Sequence, residues 1–207
     1  MKSIAALIVL LPTLSFAVTL DPYRVPESVD LAARGRVLAS ALNDPGSEAS
    51  VYLLADKTER LDKSLAETTM GIENVGLLIP YLATTDDGPK QVTEHLISFM
   101  DELKTLDEQL SDLKKSADAS LAAAQPGTKV IFAAQSLKQR ALNLRTHLEG
   151  LREKAQVLAT NVTADQAKLG AAAAAAAKEL SDRQVLGLRA TGDGLLLTAD
   201  QLVRKVQ

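Results

Sequence analysis

The chain has 207 residues, a formal net charge of −3, no cysteine, no Trp, and only three Phe and three Tyr. That charge excludes a basic nucleic-acid face, and the scarcity of rings excludes stacking platforms for bases or sugars. Without cysteine there is no disulfide framework and no thiol nucleophile, so the fold rests on packing.

Residues 1–17 read as a cleavable signal peptide. Lys2 supplies the basic start, residues 4–14 the apolar stretch, and Ser15-Phe16-Ala17 the small residues at the cleavage site. The apolar stretch is too short to cross a bilayer, which needs about 20 residues, and no transmembrane segment follows. The sequence therefore predicts a secreted protein, extracellular or at the cell surface, or periplasmic in a bacterium. Residues 18–44 form a proline-marked lead and a short helix over 28–42, closed by the breaker cluster Asn43-Asp44-Pro45-Gly46.

An antiparallel three-helix core is expected over 45–160. Its first helix, 45–83, carries Val51, Leu54, Thr58, Leu61, Leu65, Thr68, Ile72, Val75, Ile79 and Leu82 at alternating spacings of three and four. That rhythm is a narrow coiled-coil seam. Gly71, Gly76 and Pro80 weaken its last third and predict a kink or break near 76–80. After a turn over 84–89, the second helix, 90–124, repeats the seam with Val92, Leu96, Phe99, Leu103, Leu106, Leu110, Leu113 and Ala117. A Pro126-Gly127 turn, with Thr128 as N-cap, leads to the third, 128–160. Its seam is Val130, Ala134, Leu137, Ala141, Leu144, Leu148, Leu151, Ala155 and Leu158. The short turn predicts that these last two helices are a coiled-coil hairpin of direct antiparallel neighbours.

Residues 161–207 form the C-terminal helical part. Thr163 and Gln166 match a capping box that opens a further helix, and seven alanines, Ala171 to Ala177, favour helix while offering little area to bury. The seam Leu169, Ala173, Ala176, Leu180 is out of step by one residue with Val185, Leu188, Gly192, Leu195, Ala199, Leu202 and Val206. A break near Ser181, itself followed by Gln184 as a second capping box, would absorb the slip. The fold class expected is all-α: an elongated antiparallel bundle of four to five long helices with coiled-coil-like heptad seams.

No catalytic, cofactor-binding or metal-ligating residue emerges, and an enzyme is not expected. His95 and His147 lack the carboxylate three residues before them that a di-iron helical site requires. The run Asp101, Glu102, Asp107, Glu108 and Asp112 lies off the seam and reads as a solvated face. What remains is apolar excess. Val75, Leu77, Leu78, Ile79 and Tyr81 surround one helix end, Ile131 and Phe132 open another helix at the opposite end, and Leu195-Leu196-Leu197 form a third cluster. Each reads either as core against a neighbouring helix or as a site for a lipid or hydrophobic surface. Asn161-Val162-Thr163 is a sequon, which makes Asn161 a candidate N-glycosylation acceptor in an inter-helix turn.

In character the mature chain is similar to secreted helical bundles such as exchangeable apolipoproteins and fungal cell-surface helical proteins that bind lipids or hydrophobic surfaces. The similarity is one of class and carries over no residue. Two functions are expected from it and from the seams. The first is a secreted, non-enzymatic bundle that binds a lipid or hydrophobic surface. The alternative is a secreted structural or protein-interaction module whose seams are completed by another copy or another protein. The two part on whether Leu77, Leu78, Ile97, Met100, Ile131 and Phe132 are buried, line a cavity or face outward.

Overall fold

Ser47 starts the first long helix: its Oγ accepts the backbone N–H of Ser50 at 3.2 Å, the bond that an N-cap supplies to an orphan donor. Asp44, two positions before Gly46, accepts that glycine's N–H at 2.9 Å, so the proline cluster closes a turn and the helix begins later than Pro45. Helix α1 is Glu48–Leu82. In this computed structural model residues 41, 43–126 and 129–207 are described, all within one compact unit, Ala39–Gln207. The expected signal peptide, nearly all of the helix over 28–42, and Thr128 with its expected cap lie outside the described residues.

Helix α2 is Gly88–Ala123, with Pro89 in its first turn, where a missing N–H costs nothing. Glycine is required at its start, because a Cβ on Gly88 would lie 1.7 Å from the Leu82 carbonyl oxygen. Helix α3 is Ile131–Ala164. The short α4, Gln166–Leu169, ends at Gly170, whose φ of 90° and ψ of 160° belong to glycine almost alone. Helix α5, Ala171–Glu179, continues through a π-helical turn, Leu180–Gln184, into α6, Val185–Val206. Among the described residues there is no strand.

The all-α bundle and its heptad seams stand. Every seam residue named above on the first three long helices is buried, from Val51 to Leu158. Consecutive long helices run antiparallel, and α1, α2 and α3 are each about 50 Å long at 1.5 Å per residue. Their neighbours differ from the expected hairpin. Around the bundle the order is α1, α2, α6, α3, and no Cα pair between α2 and α3 comes within 8 Å. Those two helices lie across the diagonal, joined by a connection at 124–130, and α3 instead lies beside α1 and parallel to it.

The reason is on the flanks of α3. Arg140, His147, Lys154 and Asn161 recur every seven residues on one side and meet α1. Arg140 pairs with Asp56 at 2.7 Å and Glu59 at 2.8 Å, His147 Nδ1 lies 2.7 Å from Asp62, and Lys154 pairs with Glu73. On the other side Lys138 meets Asp200 at 2.5 Å, and Arg145 meets Asp193 at 2.9 Å on the antiparallel α6. Apolar seams of Leu and Ala are interchangeable between partners; flanking charges are not, and they set the pairing.

Three further expectations are corrected. First, α1 runs unbroken through Gly71, Gly76 and Pro80. Pro80 has no N–H to give the Gly76 carbonyl four residues earlier, and Asn161 Nδ2 donates to that oxygen instead, at 3.2 Å. Second, Thr163 opens no helix. Its hydroxyl donates back to the Ala159 carbonyl at 2.7 Å and α3 runs on to Ala164. Third, Ser181 breaks nothing. The Val185 N–H bonds to the Leu180 carbonyl, five residues back, and this π-turn takes up the one-residue slip while the helix continues. The alanine seam shifts accordingly: Ala173 and Ala177 are fully buried, whereas Ala176 is half-buried.

Candidate functional site

The seven apolar positions singled out from the sequence do not converge. Val75 and Ile79 fall on the α1 seam between Ile72 and Leu82 and are core. Leu77, Leu78 and Tyr81 occupy the positions between seam residues and are 74%, 51% and 66% exposed. Phe132 is exposed near the start of α3, while Ile131 beside it is half-buried against the core. Gly76 and Leu158 lie level, since a Cβ on the glycine would be 3.8 Å from the leucine. Phe132 is therefore roughly 40 Å from the Leu77 end at 1.5 Å per residue.

The Leu77 end is the larger cluster. Met70, Leu77 and Tyr81 follow one another by seven and four residues along the outward face of α1, and Met70 is also exposed. Val157, exposed as well, precedes Leu158 on α3 and so flanks the contact that Gly76 makes. The surroundings are polar: Asn74 is exposed on α1, and the acids Asp86 and Asp87 are exposed on the turn after it. Of the other apolar excess, Leu195 is core, Leu196 packs against the core, and Leu197 faces solvent. Ile97 is exposed and Met100 half-buried.

Asn161 lies in the last turn of α3 rather than in an inter-helix turn, half-buried, with its amide nitrogen engaged by Gly76. His95 stacks on Phe99 with ring centroids 6.3 Å apart, and His147 faces Asp62. Among the described residues no group of three or more His, Asp or Glu side chains is placed to hold a metal ion, and no helix is long and apolar enough to cross a membrane.

Two concavities open on the flanks. One, of about 960 Å³, has an alanine floor from Ala159, Ala171, Ala174 and Ala175, between the end of α3 and α5. The other, of about 350 Å³, lies between α1 and α2 around Lys57 and Arg60. Neither is lined by Leu77, Tyr81 or Phe132.

Three carboxylates are held by cations and a hydroxyl on their own helix and on its neighbours. Burial pushes the Asp118 carboxyl up, but hydrogen bonds from Lys114 and Thr198 outweigh it and hold the group below the usual carboxylate range. A hydrogen bond from Lys138, against desolvation and with Arg204 adding its charge, does the same for Asp200. Lys63, with Arg140 behind it, lowers Glu59.

The sequence reading missed the Lys57 and Arg60 concavity. The signal was there: on that side of α1 two cations and Ser64 oppose Gln109, Asp112 and Ser116 on α2, a single acid for two bases. No family model, no curated protein and no solved structure matches this chain.

Proposed function

We propose that this is an exported, non-enzymatic helical bundle that docks on a hydrophobic surface through the apolar end of α1. The observation that carries this reading is the outward placement of Leu77 and Tyr81, with Leu78 and Met70 beside them, on a bundle whose seams are already filled. Exposed aliphatic and aromatic side chains grouped at one end lose water only when something covers them, at about 25 cal/mol per Å² of apolar area. The exposed acids Asp86 and Asp87 in the turn that follows favour an uncharged or zwitterionic surface over an anionic one. Export rests on the pattern of residues 1–17.

For the interaction-module reading, the seams of the four long helices among the described residues are buried within one chain and offer no support. That reading keeps only the same exposed end.

Flotation with phosphatidylcholine vesicles tests the proposal. The mature protein is expected to bind, and Leu77→Asp with Tyr81→Asp to stay in solution with unchanged helical circular dichroism. Equal binding by both proteins would overturn it. A wild-type dimer that the double variant abolishes, without vesicle binding, would transfer this end to a protein partner.

A further inference from the structure

We propose that the concavity between α1 and α2 is a binding site for an oxyanion, a phosphate or carboxylate carried on a small apolar body. Among the described residues the three other pairs of neighbouring long helices are each crossed by several polar bridges. The α1/α3 side has the Arg140, His147 and Lys154 pairs. The α3/α6 side has Lys138–Asp200 and Arg145–Asp193. On the α2/α6 side Thr191 donates to Asp107 at 3.0 Å and Thr198 to Asp118 at 2.7 Å. Between α1 and α2 the side-chain bridge among the described residues is a hydrogen bond from Thr68 to Glu102 at 3.1 Å, one helical turn beyond Ser64 at the edge of the concavity.

Lys57 and Arg60 face that open flank and have no hydrogen bond or ion pair among the described residues. They are one turn apart on α1, close enough for one ammonium and one guanidinium to hold the same anion, the guanidinium through two parallel N–H bonds. Ser64, one turn after Arg60, and Gln109 on α2 add a hydroxyl and an amide, each without a partner among the described residues. Asp112 is the acid in the lining, and it is engaged by Lys115 on its own helix at 3.0 Å. In a chain of net charge −3 this leaves a local excess of positive charge. Below the polar groups Leu61 and Leu113, 5% and 7% exposed, form an apolar floor. The volume of about 350 Å³ lies at the small end of ligand pockets, which run from about 300 to 1,000 Å³. The site is roughly 25 Å along α1 from Leu78, so it is independent of the apolar end.

Amide NMR of the mature protein, titrated with inorganic phosphate at fixed ionic strength, tests this. Shifts are expected around residues 57–64 and 109–116. Lys57→Gln with Arg60→Gln should weaken binding about tenfold or more, since hydrogen bonds to charged groups are each worth about 1.5–3 kcal/mol. Asp112→Asn should tighten it severalfold by removing the neighbouring negative charge. Both changes are at exposed positions, and a circular dichroism melt checks that each variant is folded. A parallel arm uses vesicles of phosphatidylglycerol in phosphatidylcholine. Binding to these that the double variant loses, with free phosphate silent, would still support the site and assign its oxyanion to a lipid headgroup. Silence in both arms, or equal binding by wild type and double variant, would overturn the proposal.

Discussion

Helix α1 has two flanks of unlike character. Toward α3 it is parallel to its neighbour and laced to it by Arg140, His147, Lys154 and Asn161, one rung per heptad. Toward α2 it is antiparallel to its neighbour, with Lys57 and Arg60 over a concavity and without an ion pair among the described residues. Both flanks share the same Leu-rich core. The core therefore holds the helices together, while the charges decide who lies beside whom. Where the charges do not match across a flank, polar space is left.

The largest blow to this contrast is one that removes both flanks. Leu106 is 6% exposed on the α2 seam, and Leu106→Asp would place an unpaired carboxylate in the core, so the mature protein should be unfolded by circular dichroism at room temperature. A melting temperature within a few degrees of wild type would contradict a shared core.

Next in size is the top rung of the ladder. Asn161→Ala leaves the Gly76 carbonyl without a donor and should cost about 1–3 kcal/mol in urea unfolding. Pro80→Ala restores a backbone N–H four residues after Gly76, so in that background the Asn161→Ala penalty should shrink toward zero. An undiminished penalty would mean that Asn161 acts through something other than the proline-orphaned oxygen.

Smaller still is the contrast between arginines. Arg140→Ala breaks contacts to both Asp56 and Glu59 and should cost up to about 1 kcal/mol, in the range of exposed ion pairs. Arg60→Ala, which breaks no ion pair among the described residues, should fall within about 0.5 kcal/mol of wild type. Equal costs would erase the distinction between the flanks.

The slightest effect is that of pH. Asp118, Asp200 and Glu59 have carboxyl groups held below their ordinary values in the folded chain. The stability they add is present above the unfolded carboxylate range of about 4 and is lost as pH falls through their lower folded values. The melting temperature should be flat from neutral pH to about 5 and fall below about 4. Asp118→Asn should flatten part of that acid limb.

Much of the fold is legible in the residues themselves. The three-four spacing of Leu, Val, Ile and Ala fixes which face of each helix is wet, because burial of that stripe is the dominant favourable term, and Pro, Gly and Asp clusters mark the turns. The one-residue slip between Leu180 and Val185 is visible too, but whether a helix breaks or widens into a π-turn depends on whether both halves have a core to stay against. Here Leu180 and Val185 are both fully buried, and the helix widens. The apolar end of α1 is half legible. Spacing assigns Val75 and Ile79 to the seam, yet only the positions of α2 and α3 leave Leu77 and Tyr81 uncovered.

An all-helical chain, the faces of its helices and the layers of its core follow from local periodicity, and for these the residue order is enough. Three features belong to the assembled bundle instead: α2 and α3 lie across a diagonal, Asn161 completes the hydrogen bonding that Pro80 interrupts in α1, and Lys57 and Arg60 have no ion pair among the described residues. Each of these depends on which helix stands opposite a given side chain, and apolar seams that fit any partner equally well carry no record of that choice.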